Sequence, residues 1–313
     1  MLSYLAQRLA STLLVMTLVG IFVFLLLHFS AGDPAAIIAG DYATPQQIEA
    51  IRQRLGLDDP LLVQFGRWAL RVVQGDLGVS IFSNTPVSTL VLQRLEPTLS
   101  LAVLTMIFAV SIAVTFGVLA AWKAGRPVDR LLMGFSVLGF SMPAFVVGYG
   151  LIYIFAIELR WLPVQGYRPI LEGIGPWLQH LVLPTLTLGL AYVALIARMT
   201  RASMQEVLEE DYIRTANAKG VPARAMLMTH ALKNAGVPII TVIGIGVALL
   251  IGGVVITETV FNIPGIGRLV VDAISKRDYP IIQGVILLFS GVYVLINLAV
   301  DLSYSLIDPR IRH

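Results

Sequence analysis

Residues 99–122 read LSLAVLTMIFAVSIAVTFGVLAAW, twenty-four residues without one charge. About 20 helical residues cross the roughly 30 Å of hydrocarbon in a bilayer, so this stretch predicts a transmembrane helix. It is apolar on every face, which suits lipid as a solvent, and a helix satisfies its backbone hydrogen bonds internally. Five more runs of the same kind are present: Leu9 to Leu27, Leu131 to Ile157, Leu181 to Ala197, Ala235 to Thr257, and Ile281 to Val300. The run from Leu181 is the shortest and contains Pro184.

Composition agrees with that reading. The 313 residues are 57% hydrophobic and 13% charged, against about 25% charged in a soluble domain. The alternating ten-residue segments of a membrane barrel are absent. The fold class expected is therefore an all-α polytopic membrane protein with six transmembrane helices. The first run exceeds the apolar core of a secretory signal and is expected to be retained.

Orientation follows from the lysines and arginines in short loops, which favour the cytoplasm. With both termini inside, that side receives Arg8, Lys123, Arg126, Arg130, Arg198, Arg201, Arg214, Lys219, Arg224, Lys233, Arg310 and Arg312. The short outer loops then hold Arg160, Arg168, Arg268, Lys276 and Arg277. The long segment 30–97 falls outside, and its acids, including Asp33, Asp41, Asp58, Asp59 and Asp76, outnumber its arginines. Within it, Thr44, Pro45 and Gln47 read as N-cap, first-turn proline and capping-box partner of a helix ended by Gly56. Asp59 and Pro60 open a second helix, with Leu62, Phe65, Ala69, Val72 and Val73 at helical spacing and Gly75 as its stop. Both outer helices are amphipathic and are expected on the membrane's outer surface. The simplest division is 1–97, a first span with an outer segment, and 98–313, a five-helix core with a cytoplasmic connection at 198–234.

Several chemistries are excluded. There is no cysteine, hence no disulfide, thiolate nucleophile or thiolate metal site. His28, His180, His230 and His313 lie far apart in sequence, so no metal site is expected. None of Lys123, Lys219, Lys233 and Lys276 follows a glycine, so no Gly-Lys-Ser/Thr phosphate loop can form and the chain is not itself an ATPase. Charged groups are missing from the run interiors, with His28 and Asp301 at run ends, which argues against a proton relay or an ion-coupled carrier. A net charge of +3 dispersed over loops argues against nucleic acid. Gly244, Gly246, Gly252 and Gly253 read as helix-packing positions.

The connection from Arg198 to Asn234 is patterned as two short helices. Ser203 and Glu206 suggest a capping box, Tyr212 to Lys219 continue helically, Gly220 breaks the chain and Pro222 opens a helix leading to the fifth run. Asp211, Tyr212, Ile213, Arg214, Thr215 and Ala216, then Ala218, Lys219 and Gly220, resemble the coupling-loop motif of ABC importer permeases. Arg214, Thr215 and Ala216 stand where the general motif has Glu-Ala-Ala, and Asn217 where a basic residue is common. With His230, Ala231, Leu232, Lys233, Asn234, Ala235 and Pro238, this pattern resembles the dipeptide, oligopeptide, glutathione, nickel and opine permeases, the dipeptide type most of all. The resemblance extends over the chain: Gly32, Asp33 and Pro34; Gly75 to Gly78; Ser141, Met142 and Pro143; Thr257, Glu258, Phe261, Pro264, Gly265, Gly267 and Arg268; Arg277 to Pro280; Asn297, Asp301, Asp308 and Pro309.

The resemblance implies the type I permease fold of an inner-membrane, binding-protein-dependent peptide importer working by alternating access. It implies a homologous second permease, two cytoplasmic ATP-binding subunits that use ATP and Mg, and an external solute-binding protein as partners. It implies no cofactor bound by this chain. Asp211, Tyr212, Arg214, Thr215, Ala216, Lys219 and Gly220 would form the helix that docks on the ATPase, with Tyr212 and Ala216 sharing a face. Ser141, Thr241 and Thr257 are candidates to line the path. Glu258, Phe261, Arg268 and Asp278 are candidates to gate the outer mouth or meet the binding protein.

Overall fold

The computed structural model describes residues 2–29, 34–39 and 43–307. Gly32, Asp33, Asp41, Asp308, Pro309, Arg310, Arg312 and His313 lie outside them. The chain folds as α1 (Leu2–Phe29), α2 (Pro34–Ala39), α3 (Pro45–Leu55), α4 (Leu61–Val73), α5 (Val87–Trp122), α6 (Pro127–Ser141) and α7 (Ala144–Leu151). A π-helical stretch, Ile152–Glu158, follows, then α8 (Ile174–Leu208) and α9 (Asp211–Ala218). Next come α10 (Ala223–Ala225), a second π-helical stretch (Met226–Ala231), α11 (Leu232–Asn234), α12 (Gly236–Val260), α13 (Ile266–Lys276) and α14 (Tyr279–Ile307). Among the described residues the one β feature is an isolated bridge between Val79 and Pro86.

Among the described residues, four helices are long and apolar enough to cross a membrane, over Val87–Trp122, Ile174–Leu208, Gly236–Val260 and Tyr279–Asp301. The pair Pro127–Gly139 and Ala144–Glu158 makes five if counted as one broken span. The run expected from Leu9 to Leu27 lies in α1, whose shorter apolar part is Ala10–Leu26. Two expectations are corrected. The run from Leu131 to Ile157 is not one straight helix: Met142 is extended, with φ −94° and ψ 132°, and α7 restarts after Pro143. Proline lacks an N–H and pushes its predecessor out of helical geometry. Ser203 and Glu206 do not cap a new helix, because α8 passes through them to Leu208, and Ser203 is buried on its packed face.

The chain divides into two compact units, one of Met1–Arg94 with Leu269–Val294, the other of Leu95–Arg268 with Leu295–His313. In the first, Phe24 of α1 meets Phe65 and Trp68 of α4 at ring-centroid distances of 5.4 and 5.7 Å. The capping box at Thr44 and Gln47 is formed, and Gly56 and Gly75 end α3 and α4 with positive φ. Buried Gln283 donates from Nε2 to the Val23 carbonyl at 3.0 Å.

In the second unit α8 is the central helix, packed against α6, α7 and α12. Its core joins Leu101, Ala109 and Ala113 of α5 to Leu181, Leu188, Val193 and Ile196 of α8 and to Val242, Leu250 and Val254 of α12. Without a hydrophobic drive between helices in lipid, small residues permit such close packing. A Cβ at Gly253 would lie 2.7 Å from Leu188, whereas one at Gly252 would meet nothing within 4 Å. At Gly117 of α5 a Cβ would overlap the Thr200 side chain and come 2.9 Å from the Ala197 carbonyl oxygen. Gly117→Ala should therefore cost about 1–3 kcal/mol of stability by overpacking. Gly134→Ala, at a position with nothing within 4 Å, should be neutral or better, as thermal unfolding of the two purified variants will show.

Candidate functional site

The predicted coupling segment forms α9, tied to the bundle by a single buried side chain. Ile213 is 3% exposed and packs with Val118 and Ala121 of α5, Met204 of α8, Leu227 and Ala231 of the π-helical stretch, and Ile239 of α12. Beside it, Asn234 donates from Nδ2 to the Tyr212 hydroxyl at 2.7 Å and to the His230 carbonyl at 2.9 Å. Tyr212 is nevertheless exposed, and Ala216 is half-buried. Asp211, Arg214, Thr215 and Lys219 are exposed, and an exposed ion pair of 3.4 Å joins Arg214 to Asp211. The helix ends in a Schellman motif: Gly220 N–H donates to Asn217 O, Val221 N–H donates to Ala216 O, and Gly220 has φ 78°. A side chain at Gly220 would be strained in that conformation.

A further support of this end was not legible in the sequence. Asp129, buried at the start of α6, takes a two-pronged ion pair from Arg201 of α8, Nε to Oδ1 at 2.6 Å and Nη2 to Oδ2 at 2.8 Å. The Gly125 N–H adds a third hydrogen bond. Seventy-two positions separate the partners, so no local spacing reports the pair.

At the opposite end of the same unit, Glu258 is fully buried. Its Oε1 accepts from the Thr98 hydroxyl at 2.6 Å and its Oε2 from the Arg268 N–H at 2.9 Å. Thr98 Oγ1 in turn accepts the Ile266 N–H at 2.8 Å. A Cβ at Gly265 or Gly267 would press on the carboxylate, so two glycines open the space it fills. Phe261 is buried, and Arg268 is half-buried with its guanidinium on the Asn262 side-chain oxygen. Nearby, Glu96 accepts from the Tyr167 hydroxyl at 3.1 Å and the Ile170 N–H at 2.9 Å. Burial raises the Tyr167 pKa above that of a free tyrosine.

Residues 113–313 match the family described as binding-protein-dependent transport system inner membrane component, and residues 1–102 match its N-terminal component. The chain belongs to this family. The probable peptide ABC transporter permease protein y4tP of Sinorhizobium fredii (strain NBRC 101917 / NGR234) is 64% identical over 310 residues, 99% of each chain. The glutathione transport system permease protein GsiC of Escherichia coli (strain K12) is 46% identical over 313 residues, 100% of each. A solved inward-facing MetNI methionine ABC transporter aligns with TM-score 0.58 at 17% identity, covering 70% of this chain and 96% of that one, which is a likeness of fold. As a permease component the chain is not itself an ATPase; hydrolysis belongs to partner subunits of such importers.

The remaining sequence candidates of this permease fall in different settings. Ser141 is exposed and hydrogen-bonds to Val137 O of its own helix. Thr241 is half-buried and bonds to Val237 O, while Thr257 is buried and bonds to Gly253 O. Asp278 lies in the first unit, 2% exposed, and accepts from the Ser80 hydroxyl at 2.6 Å. Of the four gate candidates, only Arg268 presents surface. Sequence reasoning missed Ile213 as the anchor of α9, although an apolar residue between Tyr212 and Arg214 was the available signal. Ile213→Ala should cost about 2–5 kcal/mol locally. Tryptic cleavage after Arg214 and Lys219 in the folded protein should then accelerate well beyond that of the unmodified chain.

Proposed function

We propose that this permease component serves an ATP-driven importer of dipeptides or short oligopeptides that works by alternating access. The observation that carries the reading is α9. It is a short helix held by one buried isoleucine and a tyrosine–asparagine hydrogen bond, with Asp211, Arg214, Thr215 and Lys219 facing outward. A helix held so lightly can be gripped as a unit by another protein, and its exposed charges can find complements there. The 64% identity to a probable peptide ABC transporter permease supports the solute class.

In this reading α9 lies in the cytoplasm with both termini, and the chain sits in the bacterial inner membrane. Two cytoplasmic ATP-binding subunits use ATP and Mg and grip α9. A homologous second permease completes the path, and a solute-binding protein delivers the solute from outside. Ser141, Thr241 and Thr257 contribute to the path. Burial of Glu258, Phe261 and Asp278 favours a role in holding the outer loops in shape, leaving Arg268 as the contact residue among the four. A second reading, glutathione as solute, is favoured by the 46% identity to a glutathione transport system permease over the full length of both chains. Glutathione is itself a tripeptide, so the two solute classes share one chemistry.

Ala216→Pro tests the coupling role, because proline inside α9 costs about 3 kcal/mol or more. That variant should insert in the membrane normally while losing transport and the co-purification of ATPase subunits. Lys219→Glu should weaken the same assembly by reversing one contact charge. Normal assembly in both variants, or finding a cysteine introduced at Asn217 labelled from outside intact cells, would overturn the proposal.

A further inference from the structure

The second unit has two working ends joined by three helices. The anchor of α9 belongs to a buried apolar cluster that also includes residues of α5, α8 and α12. At their far ends these same helices carry Thr98, Trp177 and Glu258. Along α5, Thr98 and Val118 are twenty residues apart, a distance of about 30 Å.

The far end contains a closed circuit of hydrogen bonds through three chain segments. Helix α5 includes Pro97, which has no N–H for the helical ladder and so leaves a place where the helix can bend. Glu96, just before the proline, binds the segment 161–170 through Tyr167 and Ile170. Thr98, just after it, binds Glu258 and the Ile266 N–H. The two outlying segments are also tied to each other: Gly166 N–H donates to Phe261 O at 2.9 Å, and Gln165 Nε2 donates to Val260 O at 3.3 Å. Ser100 adds a link, accepting from Trp177 Nε1 at 3.2 Å. Each segment is bonded to both of the others, so no single segment can shift without breaking a bond to a fixed neighbour.

We infer that Glu258 is a positioning residue of the transport cycle. With Thr98 as relay, it splints α5 across Pro97 and fuses 161–170 and 261–268 into one plate at the end opposite α9. The part assigned to transport rests on the importer reading; the unity of the plate does not. A full displacement at α9 then reaches the far end as one rigid movement, where three independent loops would each absorb part of it. A carboxylate suits the task because it only accepts, and all its partners here are donors. Gln at the same place would turn an N–H₂ toward at least one of them.

The test uses spin labels on the full chain, which has no native cysteine, assembled with its cognate ATPase and second permease in lipid nanodiscs. Labels at Leu171→Cys, a position 94% exposed, and Pro264→Cys report the two outlying segments. One narrow distance, the same without nucleotide and with ADP–vanadate and Mg, is expected for the native circuit. Thr98→Val and Glu258→Gln should each raise a second, displaced population roughly tenfold, the scale set by losing a hydrogen bond to a buried charged acceptor. Thr98→Ser, which keeps the hydroxyl, should restore the single distance, a rescue that a generally weakened fold would not give. A native distance that shifts with nucleotide overturns the inference, and so does a narrow distance in both Thr98→Val and Glu258→Gln. A third label at Asn217→Cys separates the two readings. If it shows no nucleotide response while the plate distance stays narrow, the importer reading falls and the plate stands.

Discussion

In hydrocarbon a peptide group has no water to bond with, so every N–H and C=O must find a partner in the chain. The rest of this structure follows from that constraint. It forces the apolar runs into helices and gathers polar side chains where helices stop. Both places with a functional reading, α9 and the cage of Glu258, are such ends.

The two ends are built differently. The α9 end is apolar at its attachment and polar outward, so a load on the exposed face of α9 passes to the bundle through Ile213 in its pocket. The opposite end is internally saturated, with a buried carboxylate whose oxygens are all engaged by a hydroxyl and main-chain amides. A buried acid left without those donors would be strongly destabilising, so this geometry is kept as a whole or lost as a whole. The Asp129–Arg201 pair belongs to the same class of joint and fixes α6 to α8 near the α9 end.

Local features were legible in the sequence and distant ones were not. Thr44 with Gln47, and the stops at Gly56, Gly75 and Gly220, involve partners within six positions, and all were read correctly. The capping box at Ser203 and Glu206 failed because the same residues also continue the packed face of α8, and burial outweighed the local option. The run from Leu181, the shortest in the sequence, is part of a much longer helix that passes through buried Pro184. Glu258 could be read as a gate acid because its donor Thr98 stands 160 positions away. The break at Met142 and Pro143 was visible as a motif, yet hydropathy averages over a single proline and reported one run.

The glycine-lined cradle around Glu258 also constrains how this sequence can drift. A methyl at position 265 or 267 cannot coexist with the acid, and the acid has no purpose once the cradle is filled. Only Gly265 is tied to the acid alone: at Gly267 a Cβ would also lie 2.6 Å from the Val255 Cα. In lineages that abandon the acid, bulk should appear at position 265, while position 267 stays glycine.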